Sequence, residues 1–464
     1  MFGLLVVLLG IFLIGYLIIK KYYAPWALLL VGVLLLFLVG AFTETPLATG
    51  KKATHSWLLD IVQVITNLSS STLAGLGLQI MVISGLADYL DRIGATKSFV
   101  KICSKPLEYV RSPYTLLALA YLIGQFINIF IPSAVGLGVL LMLTVYPLLM
   151  AVGVSRLSAA AVIVTASCLD LGPASANSIV TAKLIGITAM EYFIEGQVIV
   201  GGAAALAIAI SHGFLQKYFD KKDLASGRIT EDDFKLRGEL IAAQAKDKQP
   251  DAPWFYAILP VLPIVFLFIF SKFCYTGVRL ELITCMFLCM LISFFMDLAT
   301  RRSFKDCVAN TKIFFQGMGR VFTSTVALII CALVFAEGLK LSGGINSIIG
   351  WAASMENAGG IVMLVVMCAL LALASIITGS ANAAFFAFNS LLPHAAKAVN
   401  WEMIVMACPV QLVSGIARSM SPIAGVTIAV SSIAELSPFE VVRRTIPVMA
   451  IGMITTIAAS LLLL

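Results

Sequence analysis

Long apolar runs separated by short polar clusters set the pattern of the chain. A hydrocarbon core about 30 Å thick takes about 20 apolar residues per helix. On that ruler, crossings are expected near 3–19, 24–42, 57–87, 156–186, 190–214, 254–271, 280–299, 320–340, 402–434 and 442–463. Two further apolar regions, 113–150 and 360–397, are interrupted in their middles by IPSAVG (131–136) and TGSANA (378–383). Each reads as a re-entrant helical hairpin that enters and leaves on one side. The pattern predicts an all-α polytopic membrane protein.

The interruptions recur. Ser133 in the first hairpin matches Ser380 in the second, 247 positions later, and Pro147 matches Pro393 at a spacing of 246. The span 156–186 is broken at DLGPASAN (170–177) and the span 402–434 at ARSMSPIAG (417–425), with Pro173 against Pro422 at 249. Three matched breaks at nearly one spacing predict a duplication. Lys20 with Lys21, the basic cluster between Arg92 and Arg111, Arg156, Arg301 with Arg302, and Arg443 with Arg444 fall on one face of this count. Loops rich in Lys and Arg stay inside, so that face is expected to be cytoplasmic. The first hairpin then enters from the cytoplasm and the second from outside, which makes the repeats inverted.

The organisation predicted is N-terminal transmembrane helices over 1–56, a first repeat over 57–214, a charge-balanced cytoplasmic linker over 215–253, connecting helices over 254–319, and a second repeat over 320–464. Segment 92–111 reads as an amphipathic surface helix, with 343–358 as its counterpart. The runs 57–87, 190–214, 320–340 and 442–463 carry no comparable polar interruption and read as a scaffold. The hairpins and broken spans read as a transport unit that moves against it as a body, in the manner of an elevator.

Paired interrupted segments in two halves are the sequence pointer to the midplane site of a secondary transporter. Irregular backbone at membrane depth is tolerated only where it is buried in protein or lines a wet cavity. Half-helices restarting after each break present amide ends equivalent to about half a positive charge, so four such ends favour an anion. Gly136, Gly138 and Gly379 are expected to give the turns their backbone freedom. Ser133, Ser175, Asn177, Ser380, Asn382, Ser419 and Ser421 supply short hydrogen-bonding groups, and with Gly136, Pro173, Pro422 and Arg418 they form the expected substrate site. Arg418 lies within a span, where a charge is unfavourable and marks a functional site by default. Its planar fork suits a carboxylate, and the alternative is an internal ion pair with Asp170. Asp170 itself is the coupling-ion candidate, for H+ or Na+, or it balances Arg418. His55, His212 and His394 fall at span ends and read as interfacial.

Composition narrows the classes without changing the picture. Of 464 residues, 60% are hydrophobic and 12% charged, with a mean hydropathy of +1.02, far from the balance of soluble domains. The first run meets Lys20 and Lys21 directly, without a basic start or a small-residue cleavage site, and reads as a retained helix. Nine cysteines are scattered without a CxxC pair, so no metal site is expected. The net charge of +7 sits at span ends and not in an aromatic-laced patch, which argues against nucleic acid. No His-rich, Cys-rich or HExxH pattern supports an intramembrane enzyme. A channel also uses re-entrant loops, but an Arg beside an amide cradle favours a binding site.

Several stretches resemble the anaerobic C4-dicarboxylate carriers of the DcuC type, including the DcuD branch, in the wider ion transporter superfamily. They are RIGATKSFVKICSKPLEYVRSPY (92–114), SAVGLGVLLM (133–142), TGSANAAFFAF (378–388), ARSMSP (417–422) and SPFEVVRRTIPV (437–448). The resemblance implies a carrier in the bacterial inner membrane that exchanges or exports succinate, fumarate, malate or aspartate. It also implies a homodimer whose central scaffold holds two mobile transport units, and no cofactor beyond a coupling H+ or Na+. Sodium-coupled relatives in that superfamily carry Ser-Asn-Thr at both hairpin tips, where this chain reads PSAVG and GSANA.

Overall fold

The computed structural model describes residues 2–20, 22–43, 46–48, 53–234, 252–343 and 359–464. Among them every regular element is helical, and nine helices are long and apolar enough to cross a bilayer. The expected surface helix at 343–358 and most of the linker 235–251 lie outside the described residues.

The chain opens with α1 (Phe2–Ile19) and α2 (Ala24–Phe42), then α3 (Trp57–Arg92), a 36-residue helix. The surface helix α4 (Ala95–Ser104) leads to the first hairpin, α5 (Pro113–Phe130) and α6 (Ala134–Ala151). The first broken span is α7 (Arg156–Thr165) and α8 (Ala176–Ile185), followed by α9 (Ala189–Ala225). After a short α10 (Leu262–Ile269) come α11 (Leu282–Arg301) and α12 (Phe304–Leu341). The second hairpin is α13 (Gly359–Thr378), α14 (Ala381–Phe388) and α15 (Leu392–Ala398). The second broken span is α16 (Met403–Arg418) and α17 (Gly425–Ala434), and α18 (Pro438–Leu463) ends the chain.

Three expectations are corrected here. Helices α3, α9 and α12 have 36, 37 and 38 residues, roughly 55 Å each at 1.5 Å per residue. Their apolar stretches are the middles of longer helices, because the flanking polar residues keep helical periodicity. The expected crossing at 254–271 is instead a 3-10 turn, Trp254–Ile258, and the eight-residue α10, since Pro260 and Pro263 remove backbone donors and interrupt any longer helix. Of the three glycines expected at turns, only Gly379 has a left-handed backbone, at φ 70°. Gly136 and Gly138 are helical, and Gly138 serves packing: a β-carbon there would lie 2.8 Å from Val426 Cγ2.

Many local features recur at the spacing read from the breaks. Pi-helical turns interrupt α3 at Leu73–Gly77 and α12 at Phe322–Val326, 249 positions apart. Helices α8 and α17 begin 249 apart. Left-handed residues pair as Gly94 with Gly343 and Gly186 with Glu435 at 249, and Gly153 with Asn400 at 247. At each hairpin tip a serine caps the second arm: Ser133 Oγ accepts from the Gly136 amide and Ser380 Oγ from the Ala383 amide, both at 3.2 Å.

Two apolar cores organise the helices. One joins α2, α3, α12 and the second hairpin with one face of α16. The other joins the first hairpin, α7, α9, α17 and α18. Helices α9 and α18 pack on each other, and respectively on α5 and on α7 and α16. The runs 190–214 and 442–463, expected to join 57–87 and 320–340 in a scaffold, therefore pack with the broken spans. Helices α3 and α12 are in contact along Gly77, Gly85 and Gly317, where a β-carbon at Gly85 would lie 2.7 Å from the Phe314 carbonyl oxygen.

Charged residues that mark topology also build this second body. Arg444 is fully buried on α18 and bonds Asp220 Oδ1 and Asp223 Oδ2 of α9, each at 2.8 Å. Asp220 also accepts from Ser155 at 2.6 Å and Ser158 at 2.9 Å on the α7 turn. The end of α9 is thus packed protein, not solvated linker. Arg156 donates to the carbonyls of Ala434 and Glu435 at the C-terminus of α17, where a cation complements the helix dipole. His212 is fully buried, with Nε2 2.8 Å from Thr165 Oγ1, and is not interfacial.

The closest backbone approach is at Gly415, where a methyl group would overlap the carbonyl oxygen of Cys168. Gly415→Ala is expected to destabilise the protein by about 1–3 kcal/mol, the usual range for overpacking a filled core. Gly202→Ala, on α9 with nothing within 4 Å of the added carbon, should not. Apparent melting temperatures in detergent measure the difference, and equal melting of the two variants would contradict the contact.

Candidate functional site

Both hairpin tips and both breaks meet around one cavity of about 870 Å³. The first residues of four helices line it: Ala134 and Val135 of α6, Ala176 of α8, Ala381 and Asn382 of α14, and Gly425 and Val426 of α17. The hairpins cross over between halves. Arm α6 packs on α17, and arm α14 touches α8. Gly379 sits so close to the second break that a β-carbon would lie 2.9 Å from the Ala424 nitrogen. Tip and break therefore hold each other through backbone.

The breaks are supported from behind. At the first, Asp170 has φ 50° and Gly172 φ 112°, left-handed conformations that Asp and Gly tolerate better than most residues. The Gly172 amide, freed by that turn, donates to Gln197 Oε1 at 3.0 Å. Gln197 Nε2 in turn reaches Ser178 Oγ at 2.9 Å and Gln411 Oε1 at 2.8 Å, and Tyr192 also donates to Gln411 at 3.0 Å. At the second break Thr445 donates to the Ser419 carbonyl at 2.7 Å. So α9 ties down one break and α18 the other. Nothing in the local sequence singled out Gln197, Gln411 or Thr445; their partners lie far along the chain.

The expected site residues divide into two shells by position. Ser133, Gly136, Asp170, Ser175, Ser380, Asn382 and Arg418 line the cavity. Asn177, Ser419 and Ser421 are fully buried behind the lining, and Pro173 and Pro422 shape the breaks without reaching it. The side chains of Ser175 and Asn177 stand beside the Asp170 carboxylate, while the buried Ser421 hydroxyl at the other break has no partner. Such a group in a dry interior is unfavourable.

Arg418 does not form an ion pair with Asp170. Its Nη2 donates to the Ser167 carbonyl at 2.7 Å and to Ser167 Oγ at 3.2 Å, while its Nε has no partner. One cavity thus presents a guanidinium and a carboxylate that are not joined to each other. The opposite wall comes from α3 and α12 and holds Ser84, Asp88, Asp91, Arg320, Ser324 and Thr325. Arg320 stands at the start of an apolar run and carried no site signal in the sequence. Among the described residues no group of three or more His, Cys, Asp or Glu side chains is placed to hold a metal.

Comparison with known proteins is consistent along the whole chain. The model of the family described as C4-dicarboxylate anaerobic carrier matches residues 2–464. The "Probable anaerobic C4-dicarboxylate transporter DcuC" of Vibrio cholerae is 33% identical over 464 residues, covering 100% of this chain and 98% of that protein. The "Anaerobic C4-dicarboxylate transporter DcuC" of Escherichia coli K12 is 34% identical over 443 residues, 96% of this chain and 93% of that protein.

Proposed function

The chain belongs to the C4-dicarboxylate anaerobic carrier family, and on that premise we propose that it is a homodimeric secondary carrier of the bacterial inner membrane, exchanging succinate, fumarate, malate or aspartate or exporting succinate. It is a transporter and not an enzyme. The observation that carries the reading is the convergence of four helix N-termini and Arg418 on one cavity. Each N-terminus is equivalent to about half a positive charge, and the guanidinium adds a full one, so the cavity favours a dianion. One substrate carboxylate takes the free edge of Arg418, while Ser133, Ser380 and Asn382 bind through hydroxyl and amide groups at the tips. Asp170 serves the coupling ion, H+ or Na+.

The recurring features support two inverted repeats, with each hairpin arm crossing to the other half's broken helix. The division of the helices supports an elevator, in which the hairpins, the broken spans, α9 and α18 move along the α3 and α12 pair. The scaffold wall of the cavity comes from the C-terminal half of α3, which the positive-inside orientation puts toward the cytoplasm. This conformation is therefore inward-facing.

Counterflow of labelled dicarboxylates in proteoliposomes, with and without Na+ and a pH gradient, tests the activity and the coupling ion. Arg418→Lys is expected to raise the KM for succinate at least about tenfold, because a point charge replaces a planar fork and a charge-assisted bond is worth about 1.5–3 kcal/mol. Arg418→Ala should nearly abolish exchange, and ordinary kinetics in a well-folded Arg418→Ala carrier would refute the role.

Inversion is read by labelling. Cysteines placed at Ser112 and Ala398, in a background without native cysteines, should react from opposite sides of the membrane. Reaction of both from one side would overturn the inverted topology.

Motion is read by distance. Probes at Phe388 on α14 and Ile330 on α12 start on packed helices and should separate by several ångströms between inward- and outward-trapped states. An unchanged distance with only local opening of a tip would decide for a gated, stationary site.

A further inference from the structure

The wall opposite Arg418 carries the cavity's second cation. Arg320 and Arg418 are the only Lys or Arg residues that line it among the described residues. Arg320 opens the apolar run 320–340, but helix α12 starts at Phe304. Sixteen residues into that helix, Arg320 stands roughly 24 Å from its start, immediately before the pi-helical turn Phe322–Val326. One Nη of its guanidinium is bonded to Asp88 of α3, which is packed beside Gly317. The side chain is still 69% exposed, and with Asp88 holding one edge, other donors of its five remain for a ligand. The charged neighbours on the same wall are Asp88, Asp91 and, below them, Arg92, which donates to Asn310 Oδ1 at 3.2 Å.

The recurrence at 249 positions shows what stands at the other end of the same helix pair. Arg320 corresponds to Ser71, just before the turn Leu73–Gly77 of α3. The stretch there reads NLSSST (67–72), hydroxyls and an amide without charge. Asp88 corresponds to Glu337, which is taken by Lys340 at 3.0 Å on its own helix. The scaffold is therefore symmetric in backbone and asymmetric in charge.

We propose that Arg320 is a one-sided capture residue: it binds the second carboxylate of the substrate when the site faces the cytoplasm, and the position related to it by the repeat, which meets the site when it faces outward, is the uncharged Ser71. This rests on the elevator and dicarboxylate reading above. A dianion spans from Arg418 on the moving body to Arg320 on the stationary one, and on translocation its second carboxylate passes to the hydroxyl wall around Ser71. Affinity is then higher on the cytoplasmic side. That bias suits a carrier that collects dicarboxylate from inside the cell.

Succinate exchange by the full-length carrier, measured from each face in inside-out and right-side-out vesicles, tests the assignment. Arg320→Gln should raise the cytoplasmic-face KM about fivefold, the scale of a solvent-accessible charge pair, and leave the opposite-face KM as it was. Ser71→Arg should lower the opposite-face KM by a similar factor. Equal shifts at both faces, or none at either in a carrier that exchanges succinate, would overturn the capture role alone. Wild-type protein without saturable succinate exchange would instead overturn the dicarboxylate reading, and this inference with it.

Discussion

The contact on which the molecule turns is the bond from Arg418 to the Ser167 carbonyl, made across 251 residues where the two broken spans cross. A carbonyl left open at membrane depth is unfavourable by several kcal/mol, and a guanidinium there without partners is worse. Each supplies part of what the other lacks. The bond is possible because Gly415, three residues before Arg418, has no side chain to keep α16 from the Cys168 carbonyl. Cavity lining and fold share this point, since Arg418 lines the cavity with its Nε unpartnered.

From that crossing the rest of the cavity follows. Two half-helices restart beyond the breaks, and the hairpin arms restart beyond serine caps, so four amide ends point at one volume. Glutamine and threonine side chains from α9 and α18 hold the irregular backbone from behind. Farther back, Arg444 with Asp220 and Asp223 fastens α18 to α9 in a buried pair. Breaking such a pair one partner at a time typically destabilises by about 3–5 kcal/mol, which holds these two helices together behind the breaks.

Helices α3 and α12 obey a different constraint. They approach along glycines, so their backbones lie close and their pi-helical turns meet, Gly77 against Val326. Their charge does not follow their backbone symmetry: Arg320 lines the cavity, and the position related to it by the 249-residue spacing is Ser71.

The apolar runs, their interruptions, the spacing at which the breaks recur and the place of Arg418 within a broken span were all legible in the sequence, because each depends on local rules. Twenty apolar residues suit a bilayer, glycine and proline disrupt helices, and a charge in lipid demands a reason. The tips, the breaks and seven of the twelve expected site residues lie on the cavity as those rules led one to expect. Which helices share a core was not legible. The runs at 190–214 and 442–463 are as apolar as α3 and α12, and only packing places them against the broken spans. Burial of Arg444, Asp220 and His212, the choice of Ser167 over Asp170 as partner of Arg418, and the presence of Arg320 in the cavity were likewise decided by tertiary structure. Arg418 and Arg444 find their partners 251 and 224 positions away, and no local pattern of hydrophobic and polar residues encodes a contact at that range.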